Sequence, residues 1–302
     1  MISKACIVGA YQKKLEELAR FPDVELTVVV PPYWRDERGV MRLEREHTQG
    51  YELVVERMAL NGHFHLHFYP DLTKHFRRIK PHIVHIDEEA YNVATWQAMR
   101  LAKKHGAKAL FFTWQNIHRR YPPPFSLMES YNLRHADYAI AGNSEALKVL
   151  KAKGYRGPVM VIPQFGVDPD KFKVQSSKLK VPKSPFAIRH SPFAIRHSPF
   201  AIGYVGRLVE EKGVHILLRA VAGLIGQWQL RILGSGPQKA PLEKLATELG
   251  IAERVRFEDP IPSTRMPDYY SQLSTLVLPS LTRPNWKEQF GRVLIEAMAC
   301  GV

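Results

Sequence analysis

The chain has 302 residues, 45% of them hydrophobic, enough for about two globular domains with substantial cores. No run approaches the ~20 apolar residues of a membrane span, and the opening MISKACIVGAYQKK holds too short an apolar stretch for a signal peptide, so a cytoplasmic globular protein is the expectation. The formal charge of +14 is concentrated between residues 101 and 202, where seventeen basic residues are set against five acidic ones; such a field attracts phosphorylated substrates, nucleic acid or an anionic lipid surface without choosing among them.

Apolar runs alternate with amphipathic stretches almost throughout, the pattern of a parallel sheet covered by helices. A first set of predicted strands lies near ACIVG (5–9), LTVVVP (26–31), HIVHI (82–86), ALFFTW (109–114), YAIAG (138–142) and VMVIP (159–163). A helix is expected over YNVATWQAMRLAKKHG, with Val93, Trp96, Met99 and Leu101 forming its apolar face and Gly106 closing it. In HFHLHFY the alternating His63, His65 and His67 would share one face of a strand. With no carboxylate at a suitable spacing, exposed strand histidines are a simpler reading than a metal cluster. Cys6 and Cys300 lie in apolar segments near opposite ends and are expected to be buried thiols.

From 166 to 201 the chain is rich in proline and lysine, as linkers are. Asp168-Pro169-Asp170 there reads as a turn rather than a metal-binding pair. The same stretch contains SPFAIRHSPFAIRHSPFAI, residues 184–202, in which one heptapeptide occurs twice and a third copy begins. A period of seven is too short for a stacked structural repeat, and a proline in every copy rules out a coiled-coil heptad. The nucleotide heptamer TCGCCAT, read three times, translates as Ser-Pro-Phe-Ala-Ile-Arg-His, so the segment reads as a translated tandem DNA repeat. The third copy runs into Gly203-Tyr204-Val205-Gly206-Arg207 and is expected to form the first strand of the second set.

That second set continues with a helix from about 213 to 223, WQLRILG, a helix PLEKLATELG, VRFED, a short helix near MPDYYSQL, TLVLPS, and a helix ending IEAMACGV. A series that stops on a helix lacks the strand that would follow it, and the C-terminal domain is expected to be truncated.

Two places carry chemistry. Gly206-Arg207 follows a strand and Lys212-Gly213 opens a helix, which brings backbone donors, a helix N-terminus and two cations to one point, suited to a diphosphate. In EQFGRVLIE, Glu288 and Glu296 flank Phe290 and Gly291 at a loop-to-helix junction. Amides there can face an anion while the carboxylates accept hydroxyl hydrogen bonds. Glu296 sits among Leu294, Ile295, Ala297 and Met298, an expensive place for an unpaired charge.

GYVGRLVEEKG, RILGSGP (231–237) and EQFGRVLIEAMACG together resemble the donor domain of the family 4 glycosyltransferases, retaining enzymes of the GT-B fold, over essentially all of residues 202–302. GNSEAL (142–147) and VIPQFGVDPDKF (161–172) extend the resemblance to nearly the whole chain apart from the repeat. The resemblance implies an α/β fold of GT-B type, with two Rossmann-like parallel-sheet domains facing across a cleft, the second incomplete. Residues 1–165 would form an N-terminal acceptor-side domain, 166–201 the linker with its tandem repeat, and 202–302 a truncated nucleotide-sugar donor domain. It further implies that Arg207 and Lys212 bind the diphosphate of a nucleotide-sugar and stabilise its departure. Glu288 would contact the donor sugar, Gly206 would let the backbone approach, Phe290 and Gly291 would offer backbone donors, and Glu296 would hold the ribose. No metal or other cofactor is implied; the nucleotide-sugar is a substrate.

Ligands of open parallel sheets gather beyond the C-terminal ends of the strands. In the first domain these ends carry Gly9, Asp87, Glu88, Glu89, Gln115 with Asn116, and Gly142, with His118 nearby, and these are the acceptor-side candidates. Many family members place a histidine after the strand equivalent to LFFTW; this sequence has Gln115 there and His118 three residues later. The family's N-terminal Gly-Gly loop is reduced to Gly9-Ala10. The expected partners are a nucleotide-diphosphate sugar and a glycan or lipid-linked acceptor of the cell envelope; charge alone raises peripheral contact with the inner face of an anionic membrane as a hypothesis. An inactive remnant of such an enzyme is the rival reading, and a nucleic-acid-binding protein ranks last because no recognition motif accompanies the charge.

Deleting residues 184–197 joins Lys183 to Ser198 and leaves every candidate residue in place. Since each doubling of loop length costs only about 0.6 kcal/mol, the deletion is expected to leave the denaturant midpoint and nucleotide affinity unchanged. Loss of folding would show that the inserted copies carry structure.

Overall fold

The computed structural model describes residues 1–36, 39–172 and 199–302, and the first two repeat copies lie outside them. The chain divides into two compact units, Met1–Gln164 and Phe165–Val302. Each has a parallel sheet covered by helices, the Rossmann-like arrangement of GT-B proteins.

In the first unit the strands are β1 (Thr27–Val30), β2 (Tyr33–Asp36), β3 (Gly39–Arg42), β4 (Glu52–Val55), β5 (Ile83–Ile86), β6 (Lys108–Thr113), β7 (Tyr138–Ala141) and β8 (Val159–Val161). β5, β6, β7 and β8 run side by side in parallel, β4 lies parallel to β1, and β2 and β3 form a small antiparallel pair. Ile2 bridges both Val29 and Ile86, so one residue joins the two parallel groups. The strand expected over 5–9 is absent. Ala5–Ile7 and Gly9–Tyr11 are 3-10 turns whose amides bond locally, Val8 to Ala5 and Gln12 to Gly9. Cys6 and Ile7 still reach the core. An apolar run specifies burial, and the backbone here satisfies it by coiling instead of pairing.

Helix Val93–Lys104 is present, and Gly106 beyond it adopts a left-handed φ of 72°. Its buried face differs from the expected one: Ala94, Thr95, Ala98, Met99 and Ala102 are buried, whereas Val93, Trp96 and Leu101 lie at its margins. The alanines let the helix axis approach the sheet closely. The His63–His67 segment is also not a strand but a series of turns, closed by His67 N–H on the His63 carbonyl at 3.1 Å. His67 is fully buried, and His65 packs edge-on against Tyr91, Tyr121 and Phe125. Among the described residues no cluster of three potential metal ligands occurs. No helix among them is long and apolar enough to cross a membrane. Cys6 and Cys300 are buried free thiols.

In the second unit β9 (Phe200–Val205), β10 (Trp228–Leu233), β11 (Val255–Glu258) and β12 (Thr275–Leu276) form one parallel sheet in the order β11-β10-β9-β12. The Phe-Ala-Ile of the third repeat copy opens β9, with Phe200 opposite Trp228 and Ile202 opposite Leu230. TLVLPS contributes only the two-residue β12, then Val277 N–H bonds to Gly203 O at 2.9 Å and the chain leaves as a long loop. Helices Val214–Ala222, Lys239–Glu248, Met266–Tyr270 and Arg292–Ala299 complete the unit. Asp168-Pro169-Asp170 enters the short helix Pro169–Phe172, Asp168 accepting from the Asp170 amide at 3.0 Å, and Phe172 packs with Tyr270, Ala297 and Cys300.

The RILGSGP turn is pressed onto the loop that follows β9. A Cβ on Gly234, at φ +157°, would lie 1.9 Å from the Gly206 carbonyl oxygen. Gly234→Ala is therefore expected to destabilise the unit by about 1–3 kcal/mol, read as a lowered denaturant midpoint. An unchanged midpoint would mean that the two turns do not touch.

Candidate functional site

The loop after β9 begins at Gly206, whose φ of 155° together with the Gly206 N–H to Leu233 O bond of 3.0 Å turns the chain sharply out of the sheet. Arg207 follows, and its carbonyl accepts from the buried Tyr204 hydroxyl at 2.7 Å, fixing the backbone of the turn. A 3-10 turn over Glu210–Lys212 then leads to Gly213, left-handed at φ 66° and the N-cap of helix Val214–Ala222. A side chain at Gly213 would meet the Pro279 carbonyl oxygen at 2.1 Å. Only glycine allows the loop after β12 to cross at this distance.

That crossing loop brings Glu288 to Lys212. The ammonium lies 2.5 Å from Glu288 Oε2, which also accepts from the Ser280 hydroxyl at 2.8 Å. Burial raises the Glu288 pKa, but the Lys212 and Ser280 hydrogen bonds and the Lys212 charge more than offset it, leaving the carboxyl below its usual range. Phe290 and Gly291 follow; Gly291, at φ 67°, is the N-cap of helix Arg292–Ala299. One turn into that helix is Glu296, buried as its apolar neighbours require. It accepts from the Tyr270 hydroxyl at 2.8 Å and pairs with Arg292 at 2.8 Å across one helical turn. Burial first, then the Glu296 charge, pushes the Tyr270 phenol up, so it remains a hydrogen-bond donor.

Lys212 and Glu288 thus meet directly, whereas Glu296 sits in a separate hydrogen-bonded group. Ser280, Trp286 and Tyr270 were not candidates from sequence. Ser280 and Trp286 lie in a loop without periodicity, and Tyr270 reaches Glu296 from a different helix. The Arg292–Glu296 pair alone was legible, through its i, i+4 spacing.

In the first unit, adjacent residues after β5 face different partners. Glu88 receives Lys4 Nζ at 3.1 Å and Asn92 Nδ2 at 3.3 Å, with His67 Nε2 3.6 Å away. Burial would raise its pKa, but the Lys4 and His67 charges dominate and hold it down at about 2. Glu89 accepts from Thr113 Oγ1 at 2.6 Å and from the Trp114 amide at 2.7 Å, with no cation as close. Burial prevails there and raises it to about 7. Gln115 is held by Thr113 Oγ1 through its amide and donates to the Tyr121 hydroxyl at 3.3 Å; Asn116 is buried and His118 exposed. Gly9 is buried under the Glu44–Glu46 segment: its amide donates to Glu44 at 2.6 Å, and a Cβ would lie 2.5 Å from Glu46 Cγ.

These shifts have opposite pH signatures. Glu88 contributes stability above the ordinary carboxylate value of 4.5, lost as pH falls towards about 2. Glu89, raised in the folded state, lowers stability as pH rises from 4.5 to about 7. Glu89→Gln is expected to gain on the wild type across that window, measured by denaturant midpoint at each pH. A constant difference between the two would refute the raised value.

Residues 187–302 match the family model for glycosyl transferases group 1. The chain is 40% identical over 109 residues to the D-inositol 3-phosphate glycosyltransferase of Corynebacterium urealyticum, covering 33% of this chain and 24% of that protein. It is 36% identical over 103 residues to a GDP-mannose-dependent alpha-(1-6)-phosphatidylinositol monomannoside mannosyltransferase of Mycolicibacterium smegmatis, covering 32% and 27%. The aligned stretch spans about a quarter of the length of these relatives. Among solved structures, Anabaena HepE in complex with UDP superposes with a TM-score of 0.64 at 18% identity, over 99% of this chain and 77% of that one. The lipopolysaccharide outer core galactosyltransferase WaaB, in its apo form, gives 0.60 at 19% identity, over 100% and 77%. The fold is that of the GT-B glycosyltransferases. The match to the glycosyl transferases group 1 model is confined to the C-terminal part of the chain.

Proposed function

We propose that the protein is a metal-independent retaining glycosyltransferase, moving a sugar from a nucleotide-diphosphate donor to a glycan or lipid-linked acceptor. The observation that carries the reading is the convergence of Lys212 and Glu288, from loops 76 residues apart, beside the glycine turn at Gly206-Arg207. Two cations beside a glycine turn suit a diphosphate, on which negative charge develops as the sugar leaves. Arg207 and Lys212 take that charge, Gly206 admits the phosphates, and Phe290 and Gly291 offer backbone donors. Glu288 accepts from sugar hydroxyls and Glu296 from the ribose. The bond from the anomeric carbon to phosphate breaks, the acceptor oxygen bonds on the same face, and its proton passes to the departing phosphate. Gly9, Glu88, Glu89, Gln115, Asn116 and His118 belong to the acceptor side in this reading.

A lipid-linked acceptor is consistent with the phosphatidylinositol monomannoside in the name of the Mycolicibacterium relative and with the basic bias of residues 101–202. Peripheral contact with an anionic membrane follows from the same charge. Leu127, 67% exposed on helix Phe125–His135, and Phe64, 47% exposed, add apolar surface in the same unit.

Lys212→Ala is expected to lower turnover from UDP- or GDP-sugars at least 100-fold, on the order of 3 kcal/mol, with folding retained by circular dichroism. Undiminished turnover would remove the assignment. EDTA should leave activity intact, and complete loss with chelator would favour a metal-dependent mechanism. Co-sedimentation with phosphatidylglycerol vesicles should weaken as salt is raised, and binding indifferent to salt and to anionic lipid would count against membrane contact.

A further inference from the structure

We propose that Trp286 is a positioning residue for Lys212, held by a frame that ties the loop after β12 to the turn carrying that lysine. The proposal rests on the reading of Lys212 as the diphosphate cation. Lysine has four rotatable side-chain bonds, and a carboxylate partner at one end restricts only the direction of its charge. In this structure the Lys212 ammonium also lies over the Trp286 ring, 5.0 Å from the centroid. An indole face attracts a cation without neutralising it. It can therefore hold the ammonium in place whether the facing anion is Glu288 or a phosphate.

The indole is itself constrained. Arg283 and Trp286 exchange backbone hydrogen bonds of 2.7 and 3.2 Å in an antiparallel bridge. The Arg283 guanidinium pairs at 2.7 Å with Glu210, two residues before Lys212. Leu281 N–H donates to the Glu211 carbonyl at 2.8 Å, and the Pro279 carbonyl lies against Gly213. Each residue from Glu210 to Gly213 thus meets at least one residue between Pro279 and Glu288. A loop with no regular secondary structure acquires a defined geometry through the turn it serves. Trp286 acts through Lys212 and need not touch the substrate.

The test combines a readout that requires no substrate with one that does. Competitive acetylation followed by mass spectrometry compares Lys212 with Lys244, whose side chain is 80% exposed. Trp286→Leu is expected to raise the relative reactivity of Lys212 several-fold, Trp286→Phe to restore most of the protection, and Arg283→Ala to act in the same direction as Trp286→Leu but less. Unchanged reactivity in Trp286→Leu overturns the proposal, whatever reaction the protein catalyses. With donor and acceptor, Trp286→Leu should lower kcat about 10-fold with a smaller change in donor KM, and Trp286→Phe no more than about 3-fold. In a Lys212→Ala background Trp286→Leu should cost nothing further. An equal loss in both backgrounds would show that Trp286 acts independently of Lys212 and would overturn its positioning role. If Trp286→Leu alters reactivity while Lys212→Ala retains full turnover, the glycosyl-transfer reading of the site fails and the positioning of the lysine stands.

Discussion

Close approach of backbone to backbone at glycine is the constraint on which the second unit's loop cluster depends. Three loops meet beyond the C-terminal ends of β9, β10 and β12. At Gly213, Gly234 and Gly236 a Cβ would fall 2.1, 1.9 and 2.4 Å from carbonyl oxygens of Pro279, Gly206 and Leu208. Polar backbone at such range stays aligned only if no side chain intervenes. The ion pair between Lys212 and Glu288 follows from that approach, because lysine and glutamate reach each other only when the loops that carry them are in contact. The same approach brings Trp286 to the Lys212 ammonium.

Electrostatics in the first unit shows how strongly local partners govern buried charge. Glu88 and Glu89 are consecutive and both buried, yet one is held at about 2 and the other raised to about 7. Desolvation acts on both. The difference lies in the company each keeps: Lys4 and His67 stand beside Glu88, while Glu89 faces a hydroxyl and an amide. In the second unit Glu288 behaves like Glu88 because Lys212 stands against it.

Much of the fold was legible where a strand is rich in buried apolar residues. β5, β6, β7, β9 and β10 fall within one or two residues of their predicted runs. The pattern failed where local backbone bonding competed with pairing. Residues 5–9 are apolar enough for a strand but close on themselves as 3-10 turns. β4 went unread because Glu52–Val55 is short and only partly buried. The alternation of His63, His65 and His67 imitated a strand, although their segment is held by turns and by aromatic packing around His65. On helix Val93–Lys104 the large apolar residues suggested the wrong face, because close packing against the sheet favours the small alanines.

By itself the sequence determined the order of strands and helices in the second unit, the glycines at the loop junctions, and the chemistry of the residues beside them. These depend on periodicity, on φ and on side-chain chemistry, all of which are local. Only the tertiary structure decided that Lys212 pairs with Glu288 beside Ser280 and Trp286, that Tyr270 and Arg292 hold Glu296, and that Glu88 and Glu89 titrate apart. Each of those outcomes depends on which distant groups share a desolvated space, and no spacing along the chain specifies that.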